Sequence, residues 1–174
     1  MQIPEEVDFP IIKEILGERD RGAAIVATGF LEAKLTDAIK ACLRDHADTA
    51  KRLFRPTGPI GAFGNKGLLG FMLKLYRLET LADLTLIGAI RNRFAHNPEP
   101  MTFGDDYVME RCEKLTLVKR VWSEIPNFKF QPRPFDQASA RKEFLDTVSL
   151  AANFLHHQSK HAEFRERAED LLPF

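Results

Sequence analysis

A chain of 174 residues is long enough for one domain with a sizeable core. Its 44% hydrophobic and 29% charged content is that of an ordinary globule, and 25 Lys+Arg against 25 Asp+Glu leave no net charge. That balance weighs against general binding to nucleic-acid phosphates, short of a local basic patch, and no stretch approaches the roughly 20 apolar residues of a membrane span.

The opening "MQIPEEVDFPIIKEI" has early acids and no long apolar run, so no signal peptide is expected. The two cysteines, Cys42 and Cys112, form no CxxC pair and read as reduced thiols. From both features a soluble, cytoplasmic protein is expected. A short amphipathic segment from about Glu5 to Leu16 precedes a long helix from Arg19 to His46. Its Ala24, Leu31, Leu35, Ile39 and Cys42 mark one face. "DTAKRLF" adds a short helical turn before the punctuated loop "RPTGPIGAFGNKG". Helix resumes from Lys66 to Leu78, then from Thr80, read as an N-cap, through "LADLTLIGAIRNRFAH". Pro98 disfavours the α conformation at Asn97 and ends that helix near His96.

Helix starts again at Asp105 or Asp106 and runs with breaks to Ile125. "PNFKFQPRPF" then interrupts it, with Phe128 and Phe130 alternating as in a minor extended segment near 127–135. The last helix covers Ala138 to Lys160. No repeat, low-complexity tract or linker divides the chain. The expectation is an all-α, single-domain helical bundle over residues 1–174.

In the Thr80–His96 helix an arginine stands where a core residue belongs. At 100° per residue, Leu81, Leu84, Ile87, Gly88, Phe94 and Ala95 share one face and Arg91 projects near its middle, while Arg93 points away. A guanidinium there requires a carboxylate or several acceptors, because its charge cannot be neutralised. Glu32, on the edge of the apolar face of the long second helix, is the expected ion-pair partner. Asn92 and His96 are four apart and adjacent on the helix. Arg91 and His96 are about 140° apart, and converge only if the last turn loosens or a second subunit supplies one of them. Arg91, Asn92 and His96 are therefore either a reaction centre or a structural ion pair, its neighbour and a helix end.

The other constellations have bland readings. "GPIGAFGNKG" lacks the Ser or Thr that follows lysine in a phosphate loop, because Gly67 follows Lys66. It reads as a turn feeding a helix, with Gly67 and Gly70 permitting close packing, or as a border to the "RNRFAH" site. Lys66 and Arg93 are candidate ligand or nucleic-acid contacts. His157 and His161 are four apart but have no third ligand, so no metal is expected. Basic clusters at Arg44/Lys51/Arg52/Arg55 and Lys114/Lys119/Arg120 are ordinary solvated faces by default, and Trp122 reads as core.

"RNRFAH" fits the R-x4-6-H pattern of the HEPN superfamily. Taken whole, the chain resembles the mannitol operon repressor family through "RDRGAAIVATGFLEAKL", "GPIGAFGNKGLLG" and "LIGAIRNRFAHNPEP" in that order. The resemblance implies an all-helical regulator without a helix-turn-helix, acting on DNA or through a partner protein. The HEPN pattern implies a metal-independent endoribonuclease with a composite site in a homodimer. There His96 would move the proton of the 2′-hydroxyl or leaving oxygen, Arg91 would stabilise the phosphorane, and Asn92 would hold a phosphate oxygen. Neither reading calls for a cofactor. Three functions stand: a regulator that binds nucleic acid or protein, a ribonuclease, and a non-catalytic helical interaction module.

Overall fold

Every regular element of the computed structural model is an α-helix among the residues it describes, 9–126 and 134–160. In chain order these are α1 (Pro10–Gly17), α2 (Asp20–Ala41), α3 (Ala47–Phe54), α4 (Phe63–Met72), α5 (Leu78–His96), α6 (Asp106–Glu113), α7 (Leu117–Ser123) and α8 (Gln137–Lys160). The expected extended segment near 127–135, with Phe128 and Phe130, lies mostly outside the described residues, as does His161.

The two longest helices, α2 and α8, form the central pair. Small residues permit their approach: Ala23, Ala24, Ala27 and Ala38 on α2 and Ala140, Ala151 and Ala152 on α8 are all buried. Longer side chains then interdigitate, among them Leu31, Leu35 and Ile39 from α2 and Phe144 and Phe154 from α8. Close to this pair, α5 packs against α2, α4 against both α2 and α5, and α6 and α7 against α8. Phe94, Phe103 and Phe144 meet in tilted ring contacts from α5 to α8, with centroids 5.1 and 5.3 Å apart. One continuous hydrophobic cluster joins these helices.

Local chemistry explains most of the helix ends. Pro10 opens α1, where its missing N–H costs nothing. Asp136 caps α8 by accepting the Ser139 N–H at 2.8 Å, which lowers its carboxyl pKa. Asp20 ties three parts of the chain together. Its carboxylate accepts from Arg141 Nη1 at 2.6 Å, Gln137 Nε2 at 3.0 Å and the Phe103 N–H at 2.9 Å.

Some boundaries differ from the expectation. The long helix ends at Ala41 rather than His46, and α4 starts three residues early, at Phe63, and stops at Met72. Thr80 is not an N-cap: α5 begins at Leu78 with Arg77 at the cap, and the Thr80 hydroxyl is buried as an acceptor for Arg120. Trp122 is not core but 42% exposed. The seven-residue α7 seats Leu117, Val118 and Val121, which turns the next position outward.

Candidate functional site

The "RNRFAH" stretch lies on the last two turns of α5, and the helix stays intact through His96. Asn97 takes the extended conformation that precedes proline, and its N–H still reaches the Arg93 carbonyl at 3.2 Å. No loosening of the last turn brings Arg91 and His96 together. His96 is exposed at the helix end, whereas Arg91 is half-buried on the flank that faces α2 and α4. Within this chain the three motif residues therefore do not converge. Arg91 and Asn92 are joined, Nη1 to Oδ1 at 3.0 Å, and His96 stands apart.

Glu32 does not pair with Arg91, as the helical phase had suggested. Its Oε1 accepts from Lys66 Nζ at 2.5 Å. The reason lies in α4, which packs on α2 and buries Lys66 to 6% exposure. An ammonium so buried takes the nearest carboxylate. Lys66 is thus a structural cation held by Glu32 rather than an open ligand contact. Arg93 lies elsewhere, beside the Tyr107 ring at 5.3 Å, with Arg111 on the same ring at 3.3 Å.

Between α2, α4 and α5 lies a half-open cavity of about 520 Å³. Thr28 and Glu32 line it from α2, Phe63, Gly64 and Gly67 from the first turns of α4, and Leu84, Gly88, Arg91 and Asn92 from α5. The Gly-rich segment does border the "RNRFAH" helix, as one sequence reading held. Gly88 has a defined role there, since a Cβ in its place would come within 3.2 Å of the Phe63 ring. Its absence lets Phe63 rest on α5. The charges along this wall do not cancel. Glu32 is neutralised by Lys66, and no carboxylate among the described residues pairs with Arg91.

The most buried charge on α5 is Asp83, which the sequence reading passed over. It is 2% exposed, with Oδ1 accepting the Thr116 N–H at 2.9 Å and Oδ2 accepting from Arg120 Nη2 at 3.2 Å. Arg120 also donates to the Thr80 and Thr116 hydroxyls, both at 3.1 Å. This network locks α7 onto α5 and takes Arg120 out of the basic cluster assigned to it. A signal was present in the sequence, because Asp83 shares the helical face of Thr80, Leu84, Ile87, Ile90 and Phe94.

Helices α6 and α7 are short and joined by three residues, a pairing the sequence did not suggest. The start of α7 cannot read a groove, however: Leu117 and Val118 are buried and Arg120 is bound to Asp83. Arg44, Lys51, Arg52 and Arg55 are exposed on and around α3. Burial pushes the Cys112 thiol up to about 12, so it is not a nucleophile at neutral pH. Among the described residues no three His, Cys, Asp or Glu side chains gather as for a metal, and no helix is long and apolar enough to cross a membrane.

No protein-family model matches the sequence, and no curated protein does. A solved structure is similar to the chain: the X-ray structure of the MtlR–HPr complex from Escherichia coli, with a TM-score of 0.61 and 17% sequence identity. The match covers 84% of this chain and 96% of that one. At this identity the likeness is one of fold, and the chain shares the helical fold of MtlR in that complex.

Proposed function

We propose that this chain is a cytoplasmic regulator of the mannitol operon repressor type that acts by binding a partner protein rather than by catalysis. The observation that carries this reading is the shared helical fold over 84% of the chain with MtlR, whose solved form is a complex with HPr. Two features of the chain agree with it. Arg91 and His96 lie apart on an unbroken helix, which gives one chain no assembled acid–base pair. The short pair α6 and α7 turns Arg120 of its basic member inward, against Asp83, which disfavours direct reading of DNA.

The test is a titration of the full chain with HPr by calorimetry at physiological salt, with duplex DNA and single-stranded RNA titrated in parallel. Saturable binding to HPr, with no saturable nucleic-acid binding at the same concentrations, is the expected result. Cleavage of RNA in EDTA that vanishes in His96→Ala would replace this reading with the ribonuclease.

A further inference from the structure

We propose that the cavity between α2, α4 and α5 binds a small hydroxylated organic anion, a phosphate monoester or carboxylate, whose charged end is taken by Arg91. The volume, about 520 Å³, lies within the roughly 300–1,000 Å³ of small-molecule sites. The charge balance sets the sign of the ligand. Lys66 already neutralises Glu32, so Arg91 brings an unmatched positive charge to the wall. Of its five N–H donors, one meets the neutral amide oxygen of Asn92. The remaining donors suit the paired oxygens of a carboxylate or phosphate.

The other end of the ligand follows from the α2 wall. There α2 presents acceptors: the second carboxylate oxygen of Glu32, and the Thr28 oxygen, whose proton is given to the Ala24 carbonyl at 2.8 Å. The α5 side thus carries the Arg91 donors beside one acceptor, the Thr85 oxygen, whose proton goes to the Leu81 carbonyl at 2.8 Å, and the α2 side carries acceptors. A molecule with an anion at one end and hydroxyl groups at the other satisfies both. Because the Glu32 charge is already met, neutral hydroxyls fit that end better than an ammonium. The first turn of α4 borders the same space with no side-chain cap on its amides, which favours negative charge further without carrying the assignment.

This assignment does not rest on partner binding, so failure of either test leaves the other standing. The experiment is a thermal-shift titration of the full chain with glycerol 3-phosphate, glycerate, inorganic phosphate and uncharged glycerol. The expected result is a saturable rise in Tm of about 3–6 °C at ten times Kd with glycerol 3-phosphate or glycerate, and none with glycerol. Arg91→Gln should weaken binding at least about tenfold, Arg91→Lys should fall between, and Arg93→Gln, on the other side of α5, should bind as wild type. Circular dichroism of each variant separates lost binding from lost fold. Equal shifts in wild type and both Arg91 variants, or no saturable shift with any of the three anions, would overturn the proposal.

Discussion

Asp83 and Arg91 are two charges eight residues apart on α5, and their surroundings assign them opposite work. Asp83 is buried and fully engaged by Thr116 and Arg120, so its removal strands a guanidinium whose Nη1 already lacks a partner. Asp83→Ala should cost about 3–5 kcal/mol in denaturant unfolding. Arg91 is half-buried, and its hydrogen bond is to the adjacent Asn92, so Arg91→Gln should cost less than about 1 kcal/mol. A larger cost for Arg91 than for Asp83 would return Arg91 to the scaffold. The helical wheel held the clue to Asp83 but was centred wrongly. Leu81, Gly88 and Ala95 drew the inferred face toward Arg91, whereas Ala95 is exposed and the true face is rotated toward Asp83. The Glu32–Lys66 pair was beyond reach of any wheel, because it depends on where α4 docks.

Helix α4 shows how an element can be recognised and its end missed. It closes in a Schellman turn, with Lys74 at φ 59°, Lys74 N–H bonded to the Phe71 carbonyl and Leu75 N–H to the Gly70 carbonyl. A lysine in the left-handed position carries none of the glycine signal that marks such ends in sequence. Gly70, by contrast, was legible as a packing glycine: a Cβ there would fall 2.4 Å from the Tyr76 hydroxyl, which donates to the Gly67 carbonyl at 2.6 Å. Gly70→Ala should therefore destabilise the protein by about 1–3 kcal/mol, read as a lowered denaturation midpoint. On α8, burial raises the Glu143 carboxyl pKa against the opposing pull of Lys119, and Oε1 has no hydrogen-bond partner. The folded state then holds that proton more tightly than the unfolded chain. Stability is full below the ordinary carboxylate range and falls as pH rises through the raised value. Glu143→Gln should lack this fall, so wild type should lose ground against the variant in paired unfolding curves as pH rises from the ordinary carboxylate range. Parallel curves would contradict the assignment.

At the scale of the molecule, the all-helical class was readable because apolar residues recur at helical spacing from α2 to α8, and proline and glycine punctuate the gaps. The cavity was not, since it forms only where three helices meet and where Gly88 admits Phe63. The same geometry separates the motif residues: Arg91 belongs to an internal wall and His96 to the outer end of α5. We propose that this fold works by engaging a protein. The most direct test is calorimetric titration of the full chain with HPr, with Arg91→Gln run alongside. Saturable heat of binding in both proteins is the predicted result. No binding at concentrations of tens of micromolar by a chain that circular dichroism shows to be folded would contradict it.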